Sequence, residues 1–103
     1  MRRSRRDGEH SLALDAGGLA ADAAVVAAGH EPDGYFWEGL VRSAWPDIAE
    51  HVDFDSEAGM FCAVGSSSDL ARLKTAVESV ITSPEAVRDI IARAEALGFE
   101  FDD

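Results

Sequence analysis

The first alternation of apolar and polar residues along the chain lies in residues 10–15, HSLALD. Leu12 and Leu14 fall on one side of an extended chain and Asp15 falls on the other, which is the pattern of a strand with one buried face. Two glycines follow shortly afterwards and end the pattern. This segment predicts the first β-strand.

A second alternation, in residues 51–64, is the strongest β signal in the chain. Val52 and Phe54 alternate with Asp53 and Asp55, the segment SEAG can turn the chain, and the apolar run MFCAV follows. The pattern predicts an antiparallel hairpin. Because its second arm is apolar on both faces, either both sides of that strand are covered or one apolar side is left open for binding.

Four further stretches repeat apolar residues at three- and four-residue intervals, the period of a helix with one buried face. The first of these helices is short and ends at Gly29, since glycine readily adopts the left-handed conformation that commonly follows a helix. The residues predicted to be buried in it are Leu19, Ala23, Val26 and Ala27.

The second helix carries the unusual run GYFWEGLVRSAW. Asp33 precedes the run and can accept hydrogen bonds from the first N–H groups of the helix. Helical geometry places Tyr35, Glu38 and Arg42 outside the apolar stripe, with Tyr35 and Glu38 toward its rim. Pro46 ends or kinks the helix because proline has no N–H to donate. The predicted buried stripe consists of Phe36, Trp37, Leu40, Val41, Ala44 and Ile48.

Two more helices lie in the last third of the chain. Ser67 or Ser68 is the predicted cap of the first, and Ser83 is the predicted cap of the second, with Pro84 as its first helical residue. Gly98 ends the second helix. Their predicted buried faces are Leu70, Leu73, Val77, Val80 and Ile81 in the first and Val87, Ile90, Ile91, Ala94 and Leu97 in the second.

The order of these elements predicts an α+β fold in which about four helices pack on a small antiparallel sheet, in the order β-α-α-β-β-α-α. Residues 9–103 would form one domain, whereas residues 1–8, with four arginines and few apolar residues, predict a disordered basic tail. At the other end, Phe99 and Phe101 predict a docked tail or a short edge strand. The expected core centres on Phe36, Trp37, Phe54, Phe61 and Cys62.

The charge balance narrows the classes of partner. The net charge is −11, and four of the 9 Lys and Arg lie in residues 1–6. Residues 7–103 therefore carry five Lys and Arg against 20 Asp and Glu, which gives −15. A chain this acidic repels nucleic-acid phosphates and attracts basic protein surfaces. The only cysteine, Cys62, favours a reducing cytoplasm, and no apolar run is long enough to span a membrane.

One spacing resembles a metal site. In HVDFD, His51, Asp53 and Asp55 recur at every second residue and would share one face of a strand. With Glu57 they would form the site of a small metal-dependent or acid–base hydrolase. Neighbours at this spacing stand roughly 6.6 Å apart, which is long for ligands of one ion, so a solvated hairpin face is the simpler interpretation. Cys62 has no base nearby in the sequence, and no cofactor is expected.

Two motifs carry a resemblance to a known family. The segments GYFWEG at 34–39 and EAGMFCA at 57–63 are long and unusual in composition. Together with the ending GFEFDD, they make the chain resemble the immunity protein 51 family of bacterial polymorphic-toxin systems over residues 10–103. The resemblance implies a cytoplasmic antitoxin that binds a cognate toxin domain and neutralises it without catalysis, cofactor or small-molecule substrate.

Charge adds an expectation about that toxin. A cationic target such as a nuclease suits an acidic inhibitor, because carboxylates can replace substrate phosphates and accelerate association. Both motifs place acids beside aromatic or apolar residues, as in a binding anchor with a polar rim. The predicted toxin-binding residues are Asp33, Tyr35, Glu38, Asp53, Asp55 and Glu57, with Tyr35 as the anchor.

Overall fold

The strands form one antiparallel sheet in the order β1-β2-β4-β3. The computed structural model describes residues 2–6 and 9–101 of the chain. The two longest described strands, β2 and β4, pair along their length in the middle of the sheet. The strands are Arg2–Arg6 (β1), Glu9–Asp15 (β2), Asp53–Phe54 (β3) and Met60–Gly65 (β4).

The helices pack against one face of this sheet. Leu12 and Leu14 of β2 and Phe61 and Ala63 of β4 share that face and form one contiguous core with the buried residues of the helices. The predicted α+β fold class is confirmed. None of the described helices is long and apolar enough to cross a membrane. The helices are Asp22–Ala27 (α1), Gly34–Ala44 (α2), Pro46–Ala49 (α3), Ser67–Glu78 (α4) and Pro84–Ala96 (α5).

The N-terminal segment differs from its expected disorder. Arg2–Arg6 forms β1, which pairs antiparallel with β2 at one edge of the sheet. Charged residues are common in edge strands, because such a strand is held by backbone hydrogen bonds and its charges discourage pairing with other chains. The apolar content of the segment therefore does not decide whether it pairs. Residues 1, 7 and 8 of the predicted tail lie outside the described residues.

Side-chain caps fix the starts of three helices. Asp33 accepts a 2.8 Å hydrogen bond from the N–H of Phe36, and Ser83 accepts one from Ala86 at 3.2 Å, so both predicted caps are confirmed. The cap of α4 is Ser66, one residue before the predicted pair. Three consecutive serines offer equivalent caps in the sequence, and the end of β4 decides which one is used.

The short helix α1 buries a different face from the predicted one. Ala24 and Val25 are buried, whereas Val26 is 60% exposed. The helix begins at Asp22 rather than at Leu19, and a run rich in alanine has no strong apolar side from which to read its orientation. Leu97 is likewise 82% exposed, because it caps α5 instead of continuing its buried face. Ala23 and Ala27, also predicted to be buried, are exposed.

The predicted core residues divide between two faces of the sheet. Phe36, Trp37 and Phe61 are fully buried, and Phe54 is half-buried at the edge of the same core. Cys62 is also buried, but it lies outside the contiguous core cluster. It follows Phe61 in β4 and therefore points to the opposite side of the sheet.

Candidate functional site

The N-terminus of α2 contacts the turn between β3 and β4. The N–H of Gly34 donates a 2.9 Å hydrogen bond to the carbonyl of Ala58. Glu57 and Met60 exchange two backbone hydrogen bonds of 2.8 and 3.1 Å, which leaves Ala58 and Gly59 as the tip of the hairpin. The two motifs that are far apart in the sequence therefore adjoin in space.

This contact requires a glycine at position 34. A Cβ on Gly34 would overlap the carbonyl oxygens of Glu57 and Met60. The φ angle of Gly34 lies outside the left-handed region, so its backbone conformation is open to any residue. Lack of space, and not backbone strain, excludes a side chain here.

The second glycine of the same motif contacts the C-terminal tail. A Cβ on Gly39 would lie 3.1 Å from Cδ1 of Phe101. The ring of Phe101 stacks on Phe36 with centroids 5.1 Å apart and lies 4.8 Å from the ring of His30. Phe99 meets Phe101 edge-on at 5.1 Å. Of the two predicted forms of this tail, the described residues adopt the docked tail and not the edge strand.

Tyr35 lies beside the junction and is 41% exposed. About two turns further along α2, the guanidinium of Arg42 lies 3.4 Å from the carboxylate of Glu38. The Cζ atom of Arg42 also sits 4.6 Å from the ring centroid of Phe54 in β3, in the geometry of a cation–π contact. Arg42 thus connects the rim of α2 to β3 and offsets part of the negative charge of Glu38.

The three acids of the hairpin lie on the side of the sheet away from the helices. Strand alternation directs Asp53 and Asp55 opposite to Phe54, whose ring faces the core. The N–H of Asp55 donates to the carbonyl of Cys62 at 2.9 Å and continues the β3–β4 register. All three acids are exposed, and their partners across the hairpin are Val64 for Asp53, Cys62 for Asp55 and Met60 for Glu57.

Strand β3 is the last strand on its side of the sheet, and we call this border the β3 edge. The six residues predicted to bind a toxin form two groups, one on each side of the β3 edge. The first group is Asp33, Tyr35 and Glu38 on α2, and the second is Asp53, Asp55 and Glu57 on the hairpin. The contact of Gly34 with the turn brings the start of α2 next to the hairpin end that carries Glu57. In the first group, one carboxylate oxygen of Asp33 caps α2 and Glu38 contacts Arg42.

His51 does not join Asp53 and Asp55 on a strand face. It lies in the turn that precedes β3, and its Nδ1 donates a 2.7 Å hydrogen bond to the carbonyl of Asp47. Across residues 2–6 and 9–101, no group of three His, Cys, Asp or Glu side chains could hold a metal ion. The hydrolase alternative gains no support from this arrangement.

Cys62 is placed where a thiolate is unfavourable. Burial raises the pKa of its thiol, and the negative charges of Asp55 and Glu57 raise that pKa further. The thiol therefore stays protonated at neutral pH, which makes it a poor nucleophile. The backbone N–H of Cys62 donates a 3.1 Å hydrogen bond to Ser56 Oγ. A side chain therefore adds to the backbone hydrogen bonds that join the two arms of the hairpin.

Two contributors to the site were missed from the sequence. The helical period places Arg42 only outside the apolar stripe of α2, although its position four residues after Glu38 is a recognised signal for an ion pair on a helix. Its contact with Phe54 has no sequence signal, because it depends on how α2 packs over the sheet. The close approach that requires Gly34 is likewise a tertiary contact.

Comparison with known proteins bears on the same region. The model of the family described as immunity protein 51 matches residues 6–96. No curated protein and no solved structure matches the chain. The matched span covers most of the chain and includes both motifs and the junction that joins them at Gly34. The chain belongs to the immunity protein 51 family.

Proposed function

We propose that this protein neutralises a cognate toxin domain by binding it, without catalysis, and that the binding surface lies around the β3 edge. The observation that carries the proposal is the junction at Gly34, which joins the start of α2, with its exposed Tyr35, to a hairpin whose three exposed acids lie on the other side of the sheet. A partner that wraps around this edge would meet an exposed aromatic side chain on one side and exposed charges on the other, and these are the components of a binding hot spot and its rim. Family membership supports the role of an inhibitor.

The partner that suits this surface is a basic protein domain. The chain carries a net charge of −11, and Asp53, Asp55 and Glu57 are exposed on the hairpin. Such a surface accelerates the approach of a cationic protein and disfavours nucleic acid. A toxin that binds nucleic acid, such as a nuclease, has the required charge, and the carboxylates would take the place of its substrate phosphates. We place this encounter in the cytoplasm, without any cofactor.

Replacing Tyr35 by alanine tests the aromatic anchor. Tyr35→Ala should weaken binding to the toxin domain encoded beside this gene by about 2 kcal/mol, or roughly 30-fold, as hot-spot truncations do. Surface plasmon resonance measures the affinity, and urea unfolding should show little change in stability because the side chain is 41% exposed. Val26→Ala is a matched control, since Val26 is an exposed apolar residue on α1. Equal effects of the two substitutions on affinity would reject Tyr35 as the anchor.

Reversing the hairpin charges tests electrostatic attraction. The double variant Asp53→Lys, Asp55→Lys should mainly slow association with a basic toxin, and higher salt should shrink its difference from wild type, because salt screens exposed charges. Association rates at two salt concentrations provide the measurement. The control is Glu85→Lys, Asp89→Lys on α5, which makes the same change in net charge at exposed positions.

Full protection of toxin-expressing cells by a folded variant carrying Tyr35→Ala, Asp53→Lys and Asp55→Lys, with an unchanged association rate, would move the interface away from this edge. If the control on α5 slows association as much as the hairpin variant, the effect is one of net charge alone, and the hairpin is not the contact.

A further inference from the structure

Strand β4 is apolar on both faces, but the helices cover only one of them. Phe61 and Ala63 belong to the contiguous core. Cys62 and Val64 alternate with them and point the other way, and neither belongs to that core or packs against it. Of the two interpretations open from the sequence, the structure favours a strand with an outer apolar face that the helices do not cover.

The neighbouring strand extends this outer face. Ala13 of β2 pairs with Cys62, and Ser11 pairs with Val64, so these four residues form a continuous strip across the centre of the sheet. An antiparallel sheet with helices on one side usually presents polar residues on the other. Here the strip carries small and apolar side chains, of which Ser11, Ala13 and Val64 are partly exposed and Cys62 is buried.

Acidic residues border the strip along the β3 edge. Asp53 stands opposite Val64, and Asp55 stands opposite Cys62. Side chains directly opposite each other on adjacent antiparallel strands have Cβ atoms about 4.5–5.5 Å apart. The negative charges of Asp55 and Glu57 act on the Cys62 thiol and raise its pKa, so their field extends over the centre of the strip. At the opposite edge of the sheet, Arg2 of β1 pairs with Ala13 and Ser4 pairs with Ser11, so the acidic border of the strip is confined to its β3 side.

We propose that the outer sheet strip of Ser11, Ala13, Cys62 and Val64 is the centre of the toxin contact, and that it receives an apolar projection flanked by Lys or Arg. This inference rests on the proposed function and changes the expected interface. The contact would cover the outer face of the sheet, with Asp53, Asp55 and Glu57 as its charged rim and Tyr35 at its border.

The charge beside the strip indicates the chemistry of the partner surface. A partner lying over this strip meets three exposed carboxylates on one side. A neutral or acidic partner surface would remove water from these carboxylates without offering a new interaction, whereas Lys or Arg would pair with them. An apolar centre with a charged rim is the usual composition of a protein–protein interface.

Thiol labelling can locate the covered face. The variant Cys62→Ala, Val64→Cys has its only thiol on the outer sheet strip, because Cys62 is the only natural cysteine. A matched control, Cys62→Ala, Ala92→Cys, places the thiol on the exposed side of α5. Each is treated with a maleimide, with and without a saturating amount of the toxin domain encoded beside this gene. The toxin should slow labelling at position 64 at least 10-fold and leave labelling at position 92 unchanged.

A second pair of variants uses the natural cysteine background. Val64→Arg should weaken toxin binding at least 10-fold while the thermal midpoint stays near that of the wild type, and Ala92→Arg should leave both unchanged. If wild-type protein forms no complex with the toxin on gel filtration, the proposed function fails. If the complex forms but labelling at position 64 is not slowed, or a folded Val64→Arg variant binds as tightly as wild type, only the placement of the contact is overturned.

Discussion

Gly34→Ala should lower the free energy of unfolding by about 3 kcal/mol, the upper part of the usual range for overpacking. The added methyl group would overlap the carbonyl oxygens of Glu57 and Met60, and backbone atoms cannot move aside as the end of a side chain can. Helix propensity alone predicts the opposite sign, since alanine favours a helix over glycine by up to about 1 kcal/mol. Urea unfolding of the variant and the wild type measures the difference.

Gly39→Ala is the matched control in the same helix. Its new Cβ would lie 3.1 Å from the ring of Phe101 and 3.7 Å from the ring of Phe99, and these rings of the C-terminal tail can shift by a few tenths of an ångström. This variant should therefore be close to wild type in stability or slightly more stable. A Gly34→Ala protein that gained stability in the same way would show that α2 does not touch the hairpin turn in solution.

Trp37→Ala should reduce stability by about 3 to 5 kcal/mol, as truncation of a buried aromatic residue does. Trp37 is 1% exposed and meets the ring of Phe36 edge-on with centroids 5.4 Å apart. Urea unfolding again gives the value. A loss below about 1 kcal/mol would place the indole on the surface and contradict the packing of α2.

Trp37→Phe separates the ring from its polar atom. The indole Nε1 of Trp37 is buried and has no hydrogen-bond partner among the described residues. An unsatisfied buried donor costs about 1 to 3 kcal/mol, so removing it offsets part of the cost of the smaller ring. The phenylalanine variant should therefore lose much less stability than the alanine variant.

Helix α2 illustrates what the sequence can predict. Its cap at Asp33, its buried stripe around Phe36 and its end before Pro46 all depend on residues within a few positions of each other. Local rules of capping, helical period and proline geometry therefore suffice for this element. The helix-ending glycines at 29 and 98, both in the left-handed region, follow from the same kind of local rule.

Elements whose structure depends on residues far away in the sequence are harder to predict. β1 is paired with β2, although its arginine-rich sequence carries no apolar period. The buried side of α1 is set by where α5 lies, and its alanines give no preference. The cap of α4 is Ser66, one residue before the predicted pair, because three consecutive serines are equivalent in their local sequence.

The candidate site shows the same division. The sequence identified exposed Tyr35 and the hairpin acids, since helical and strand periods place them outside the core. It also treated His51 and Asp53 as neighbours on one strand, whereas β3 begins only at Asp53. Which side of the hairpin receives α2 is a tertiary choice, so the sequence could not show that Asp53 and Tyr35 lie on different sides of the β3 edge.

The docked C-terminal tail decides where a fusion tag should be attached. The family match ends at residue 96, but the Phe101 ring stacks on Phe36 and lies against Gly39. A chain shortened to the matched span would lose this ring and expose Phe36 of the core to water. An affinity tag or fluorescent reporter at this end should therefore follow residue 103 through a flexible linker, so that the tail stays packed against α2.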